Sequence, residues 1–257
     1  MTTVLETNDL TRKFGSLIAV DDVTISFDAD EITSIIGPNG AGKTTFYNLL
    51  TGALKPTTGD VKLRTKDSGE LRSITGKEPY QIAQNGLSRA FQVTNIFEEL
   101  TVFENIRISH ISQQNRTKEL LTWTNDDSEL DEQVWETIDL VKLNDVANTP
   151  CTNLSHGDKR KVDIALALAL EPSMMLLDEP TAGMNPTETS RMVDIIKDLD
   201  NNTETAFAIT EHDMSVISDI SDRILVLHEG AIISDGDPEA VLSNQKVKEA
   251  YLGGVVE

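Results

Sequence analysis

Basic residues are scarce in this sequence. It carries 22 Lys and Arg against 43 Asp and Glu, a formal net charge of −21 at pH 7, and so acidic a surface repels phosphate backbones. Nucleic acid is therefore excluded as a principal partner, because duplex binding draws on clustered basic side chains. Cysteine is nearly absent. Cys151 stands alone and has no partner for an internal disulfide, which suits a reducing compartment and leaves it as a small buried or loop residue. Long apolar runs are missing too. The longest, Ile164 to Leu170, has seven residues, whereas a helix needs about 20 to cross a bilayer. The opening Met1-Thr2-Thr3-Val4-Leu5-Glu6 has neither a basic segment nor an apolar signal core. Any membrane association is expected to come through a partner.

What is present describes a globular protein. At 257 residues, 39% hydrophobic and 25% charged, the chain is long enough for one large domain or for a core carrying a subdomain, and its composition argues against wholesale disorder. Acidic residues are spread along it, as in Asp28-Ala29-Asp30-Glu31, Asp126-Asp127-Ser128-Glu129 and Asp235-Gly236-Asp237. Such a spread is expected of a halophilic protein, where carboxylates keep the surface hydrated and salt screens their repulsion. An acidic protein of an ordinary cytosol is the alternative.

Short β-rich runs cover Val4 to Thr7, Ile18 to Val20, Val23 to Phe27 and Ile32 to Ile36, and later Met174 to Leu177, Thr205 to Thr210 and Ile224 to Leu227. Between the later runs lie stretches with helical spacing: Met192, Val193, Ile196 and Leu199 share a face, as do Val134, Trp135, Ile138 and Val141. Strands alternating with helices imply an α/β fold with a mainly parallel sheet. Residues 91–165 show helical patterns and no strand, which predicts a helical subdomain inserted in the core. After Leu227, Glu229-Gly230 and the run Ala231 to Ser234 predict a closing hairpin.

The strongest local signal is Gly37-Pro38-Asn39-Gly40-Ala41-Gly42-Lys43-Thr44, which fits G-x-x-x-x-G-K-[ST] at every fixed position. A strand precedes it and Thr45-Phe46-Tyr47-Asn48-Leu49-Leu50 can continue as a helix. Glycines let the backbone wrap phosphates, and the helix start presents unpaired N–H groups to the anion. Lys43 is placed to reach the outer phosphates, and the Thr44 hydroxyl to reach Mg2+. The second signal is Met174-Met175-Leu176-Leu177-Asp178-Glu179-Pro180, an apolar strand delivering two acids at its carboxyl end, where ligands of open α/β sheets bind. Asp178 is expected to hold Mg2+ through water, and Glu179 to act as general base on the attacking water.

Phosphate loops also serve kinases, GTPases and motor ATPases, so the family is decided elsewhere. Leu154-Ser155-His156-Gly157-Asp158 lies 20 residues before Asp178 and resembles LSGGQ, the signature of ABC ATPases. It departs from it at His156 and Asp158. Gln92 after Ser88-Arg89-Ala90-Phe91, and His212 in Thr210-Glu211-His212-Asp213, resemble the Q-loop glutamine and switch histidine of that family. Phe14 in Lys13-Phe14-Gly15 resembles the aromatic that stacks on adenine, with a core phenylalanine as its rival. Ala182-Gly183-Met184-Asn185-Pro186 occupies the place of the D-loop, with Asn185 where many members carry aspartate.

The resemblance covers essentially the whole chain. It implies a P-loop NTPase core (1–90 and 166–257) with an antiparallel β part and the inserted helical subdomain. It further implies ATP bound by Phe14, Gly37 through Thr44 and Thr45, Mg2+ held by Thr44, Asp178 and Gln92, and hydrolysis carried by Lys43, Gln92, Glu179 and His212. Ser155 and Gly157 would touch the γ-phosphate bound by the opposite subunit of a homodimer, or of a heterodimer with a sister subunit. Gly86-Leu87-Ser88-Arg89-Ala90-Phe91-Gln92, Leu100-Thr101-Val102-Phe103-Glu104-Asn105-Ile106, Glu211-His212-Asp213-Met214 and the ending Ala250-Tyr251-Leu252-Gly253 look like the ATP-binding subunits of branched-chain amino acid importers. Such a subunit sits peripherally on the cytoplasmic side of the membrane, with two permease subunits and, indirectly, an extracytoplasmic solute-binding protein. Urea importers and exporters of the same superfamily are the alternatives. A soluble kinase leaves the signature and His212 without a role, and a scaffold or translation factor would bring two fused nucleotide domains or a long coiled-coil insertion.

Overall fold

A computed structural model describes residues 2–66, 68–90, 96–114 and 128–252. Among the described residues, ten strands form two sheets. The first is antiparallel, in the order β2-β1-β4-β5, with β1 Thr3–Phe14, β2 Leu17–Asp28, β4 Thr58–Arg64 and β5 Leu71–Ser73. The second has six strands in the order β10-β9-β3-β8-β7-β6. They are β3 Ile32–Ile36, β6 Leu87–Ala90, β7 Met174–Asp178, β8 Ala206–Thr210, β9 Arg223–His228 and β10 Ala231–Gly236. From β9 through β6 neighbouring strands are parallel, and only β10 runs against its neighbour. This is the mainly parallel α/β core with an antiparallel part expected from the sequence.

The strands of the second sheet read as continuous apolar runs because both faces are covered. In β7, Met174 and Leu176 enter the core shared with the antiparallel sheet, while Met175 and Leu177 enter the core under the helices. Alanines 206 and 208 of β8 divide from Phe207 and Ile209 in the same way. Burying each large apolar side chain fully contributes about 1.5–3 kcal/mol, so the period of two fixes the register of the sheet.

The helices are α1 Lys43–Leu50, α2 Pro79–Gln84, α3 Val102–Gln113, α4 Ser128–Leu140, α5 His156–Leu168, α6 Pro186–Asn202, α7 Met214–Ile220, α8 Pro238–Ser243 and α9 Gln245–Leu252. Among the described residues, none is long and apolar enough to cross a membrane. The α3 start is fixed by a capping box in which Thr101 and Glu104 satisfy each other's backbone N–H groups. α5 runs across the 165/166 division drawn from the sequence. Met192, Val193, Ile196 and Leu199 of α6 are all buried, as their spacing predicts. Trp135 is an exception on α4: Val134 and Ile138 are buried, whereas Trp135 is 42% exposed and leans on the Phe103 ring at 5.4 Å. One residue is about 100° of helix turn, which carries Trp135 to the rim of the apolar face.

Two expected short strands, Ile18 to Val20 and Val23 to Phe27, join into β2, and β1 extends beyond Thr7. Register shifts along the β1–β2 pair, together with positive φ at Asp9 (49°) and Asp22 (53°), absorb the polar residues that interrupt the apolar pattern. The closing hairpin forms as predicted. Glu229 (φ 48°) and Gly230 (φ 84°) make its two-residue turn, both left-handed as a type I′ turn requires.

Candidate functional site

The loop from Gly37 to Gly42 leaves the carboxyl end of β3 and enters α1. A Cβ at Gly37 would lie 2.1 Å from the Leu227 carbonyl oxygen, and one at Gly42 would lie 2.3 Å from that of Ala19. Close backbone approach therefore demands both glycines. Gly42 (φ 108°) caps α1 with no side-chain bond, and the first turn contains no acid. The turn is left with open amides beside a cleft of about 630 Å3 lined by Asn39, Gly40, Ala41, Gly42, Lys43, Thr44 and Thr45. Open amides and the helix dipole together attract an anion there.

Lys43 Nζ donates to the carbonyls of Gly37 (2.5 Å) and Pro38 (3.2 Å), which hold it under the loop. Burial pushes its ammonium below the usual lysine range, and the carboxylates of Glu179 and Asp178 work against that shift. Phe14, Leu17 and Ile18 form an apolar lip to the same cleft. Phe14 is 42% exposed with the Arg12 guanidinium 4.5 Å over its ring, so it is not a core residue.

β7 and β8 deliver the acidic side. Asp178 accepts from Thr210 Oγ1 at 2.6 Å and from Arg89 Nη2 at 2.6 Å. Glu179 adopts a left-handed backbone (φ 51°), and its Oε1 meets His212 Nε2 at 2.8 Å. Such a conformation costs on the order of 1 kcal/mol or more and persists only where its surroundings hold it. Here Arg160 holds it from beneath. Its buried guanidinium donates to the backbone carbonyls of both Asp178 and Glu179 at 2.9 Å. Glu211 fixes the neighbouring turn by accepting from Thr181 N (2.8 Å), Thr181 Oγ1 (2.7 Å) and His212 N (3.2 Å).

The cleft thus gathers Phe14, the loop residues from Asn39 through Thr45, Asp178, Glu179 and His212. Gln92 lies outside the described residues. Ser155 and Gly157 do not line the cleft. Ser155 instead caps α5, accepting from Asp158 N at 3.1 Å and donating to Asp158 Oδ2 at 2.8 Å. A Cβ at Gly157 would meet nothing closer than 3.8 Å, so packing within this chain does not demand the glycine. Thr210, Arg89, Arg160 and Asn48 were not singled out from the sequence. Arg89 and Thr210 stood inside quoted motifs, but only strand pairing reveals where they reach.

The donor set suits Mg2+. Thr44 and Asp178 offer hard oxygens on the cleft wall, and among the described residues no three His, Cys, Asp or Glu side chains converge to form a metal cage, here or elsewhere. Mg2+ needs no such cage, since it keeps several waters and takes further ligands from substrate phosphates.

A family model described as ABC transporter matches residues 20–182, more than half of the chain. This chain is an ATP-binding cassette of the ABC transporter family. As such it is an ATPase. A crystal structure of the ADP conformation of MJ1267, an ATP-binding cassette of an ABC transporter, superposes with a TM-score of 0.85 at 32% identity, covering 98% of this chain and all of that one. The high-affinity branched-chain amino acid transport ATP-binding protein LivG of Escherichia coli K12 is 39% identical, with 97% of this chain and 98% of LivG covered. The corresponding protein BraF of Pseudomonas aeruginosa is 35% identical over 97% and 98%. A second model, described as branched-chain amino acid ATP-binding cassette transporter, matches residues 231–257.

The cassette's departures from the family pattern now have places. Asn185 caps α6, accepting from Thr187 N (3.0 Å) and Glu188 N (3.1 Å), a bond worth about 1 kcal/mol. His156 is exposed and lies beside Gly183, where an added Cβ would stand 3.7 Å from its Nε2. The negative charge of Asp158 is offset by Lys161 at 2.9 Å.

Proposed function

We propose that this cassette is the ATP-hydrolysing subunit of an importer for branched-chain or related amino acids. The reading is carried by the convergence of Lys43, Asp178, Glu179 and His212 on one cleft, in a chain whose residues 231–257 match the branched-chain amino acid model. Phe14 stacks on adenine. Loop amides from Asn39 to Thr45 and the Lys43 ammonium hold the phosphates, with Gly37 and Pro38, which do not line the cleft, shaping the loop and holding Lys43 through their carbonyls. Thr44, Asp178 and Gln92 would hold Mg2+, which would supply positive charge against the charge developing on the transferred phosphoryl group. Glu179 accepts the proton of the attacking water as the bond from the γ-phosphorus to the bridging oxygen breaks, and His212, at 2.8 Å, orients Glu179.

A single chain leaves this site unfinished. Ser155 and Gly157 of a second copy or sister subunit complete it, so two subunits close head to tail around two ATPs. Closure is favoured by contacts made only in the ATP-bound arrangement. The core (1–90 and 166–257) carries the nucleotide and the helical subdomain (91–165) carries the signature. Two permease subunits seat the pair on the cytoplasmic face of the membrane, and an extracytoplasmic solute-binding protein supplies them. The acidic surface suits a salt-rich cytosol.

Glu179→Gln keeps the side chain's size but removes the proton acceptor, so the ATP-bound dimer should accumulate, by light scattering or as an occluded state in the complex with its permeases. No ATP-dependent association in either setting overturns the sandwich. Purification with the permeases and their binding protein then identifies the solute. A branched-chain or related amino acid supports the reading, and urea or outward transport overturns it.

A further inference from the structure

Arg89 sits on β6, the edge strand of the six-stranded sheet, and its guanidinium forks. Nη1 donates to Asn48 Oδ1 at 2.8 Å and Nη2 to Asp178 Oδ2 at 2.6 Å. Asn48 stands four residues after Thr44 on α1, hence on the same helix face one turn along. The fork therefore spans the two elements that bear the oxygen donors for Mg2+. It is well buried, with Arg89 and Asp178 side chains only 11% and 15% exposed. The guanidinium also lies 5.6 Å over the ring of fully buried Tyr47, within the range of a cation–π contact. With Thr210 on the other oxygen, the Asp178 carboxylate is fixed in orientation before any metal arrives.

A buried ion pair is a poor way to gain stability compared with apolar packing. Bridging two separate elements with one rigid, planar group is, however, something arginine does and lysine cannot. We propose that Arg89 is a positioning residue for the Mg2+ site, setting the spacing between Thr44 and Asp178 and the direction of the Asp178 oxygens. The inference rests on the nucleotide reading of the cleft. Groups that orient metal ligands from behind typically change metal affinity when removed.

The test is ATP binding by calorimetry in the Glu179→Gln background, where nucleotide survives, once with Mg2+ and once with EDTA. Arg89→Lys and Arg89→Gln should each lose on the order of 10-fold or more of the MgATP affinity. Both should bind metal-free ATP as the background does. Asn48→Ala should lose a smaller part of the same increment, and the melting midpoint of Arg89→Lys, which keeps the charge, should stay near that of the background. Equal losses with and without Mg2+, or no loss in either, would overturn the inference while leaving the nucleotide site intact. Failure of the background itself to bind ATP would instead sink the nucleotide reading and this inference with it.

Discussion

Asp178 and Glu179 at the carboxyl end of the parallel sheet and Asp200 at its amino end are held in different ways. At the carboxyl end, Asp178 has Arg89 and Thr210, and Glu179 has His212. At the amino end, Asp30, Asp200 and Asp222 stand together. Burial pushes the Asp200 carboxyl up to about 6, and the charges of Asp222 and Asp30 add to the shift. Asp200 Oδ1 is buried without a hydrogen-bond partner among the described residues. A chain of net charge −21 supplies acids everywhere. Arg223 nearby pairs with Glu31 (3.0 Å) and Asp235 (2.6 Å), and Asp222 accepts from Ile32 N (2.9 Å), so the contrast is local to Asp200: the cleft acids are each held by a partner, whereas Asp200 Oδ1 is left to burial and repulsion.

The carboxyl end breaks most severely. Lys43→Ala removes the fixed charge for the outer phosphates and should lower hydrolysis by on the order of 10²–10³-fold or more, with weaker ATP binding. Gly157→Ala should lower hydrolysis comparably yet leave ATP binding by the single subunit unchanged, because an added Cβ meets nothing closer than 3.8 Å within its own chain. Mixing the two variants gives dimers in which one cleft has both halves intact, so activity should partly return. A mixture that stays dead, with both proteins folded, would mean that the start of α5 does not complete the other subunit's cleft.

Salt tests the amino end and the surface beyond it. The Debye length grows from about 3 Å at 1 M to about 30 Å at 0.01 M. The melting midpoint should therefore fall as KCl is removed, by more than for a protein of balanced charge. A midpoint that is flat, or that rises at low salt, removes the halophilic reading.

The smallest effect is expected at Asp200 itself. Its carboxyl titrates higher in the folded chain than unfolded, so its favourable contribution is fully present below pH about 3.8 and is lost as pH rises through about 6. Asp200→Asn should stabilise the cassette at pH 7–8 by on the order of 1 kcal/mol after allowance for partial exposure, and should gain nothing near pH 4. An equal gain at both pH values would place the effect in packing instead of charge.

Much of the cleft was legible because its demands are local. A strand, two sterically forced glycines and an open helix start must follow one another within a few residues, and Gly37 to Thr44 carry that order in sequence. The same holds for Asp178 and Glu179, which an apolar strand delivers together, and for the turn at Glu229-Gly230. β4, β5 and β6 were missed. Leu71–Ser73 is only three residues long, and in Thr58–Arg64 the alternation is confined to Val61 through Arg64, behind a Thr-Gly-Asp start that reads as a turn. In β6 the pattern Leu-Ser-Arg-Ala hides a buried edge strand behind two polar residues, of which Arg89 finds its partners only in the fold.

By itself, then, the sequence determined the phosphate loop, the paired acids and the family, since each rests on backbone geometry or residue order within a short window. Only the tertiary structure decided what surrounds them. It brought Arg89 and Asp178 together across 89 residues, set Thr210 opposite Asp178 across 32, and placed Arg160 beneath the Asp178 and Glu179 carbonyls. Those meetings depend on the strand order β8-β7-β6 and on the parallel register that pairs Arg89 with Leu176 and Asp178 with Thr210. Strand order comes from covering both faces of the sheet at once, and no short window of sequence contains that requirement.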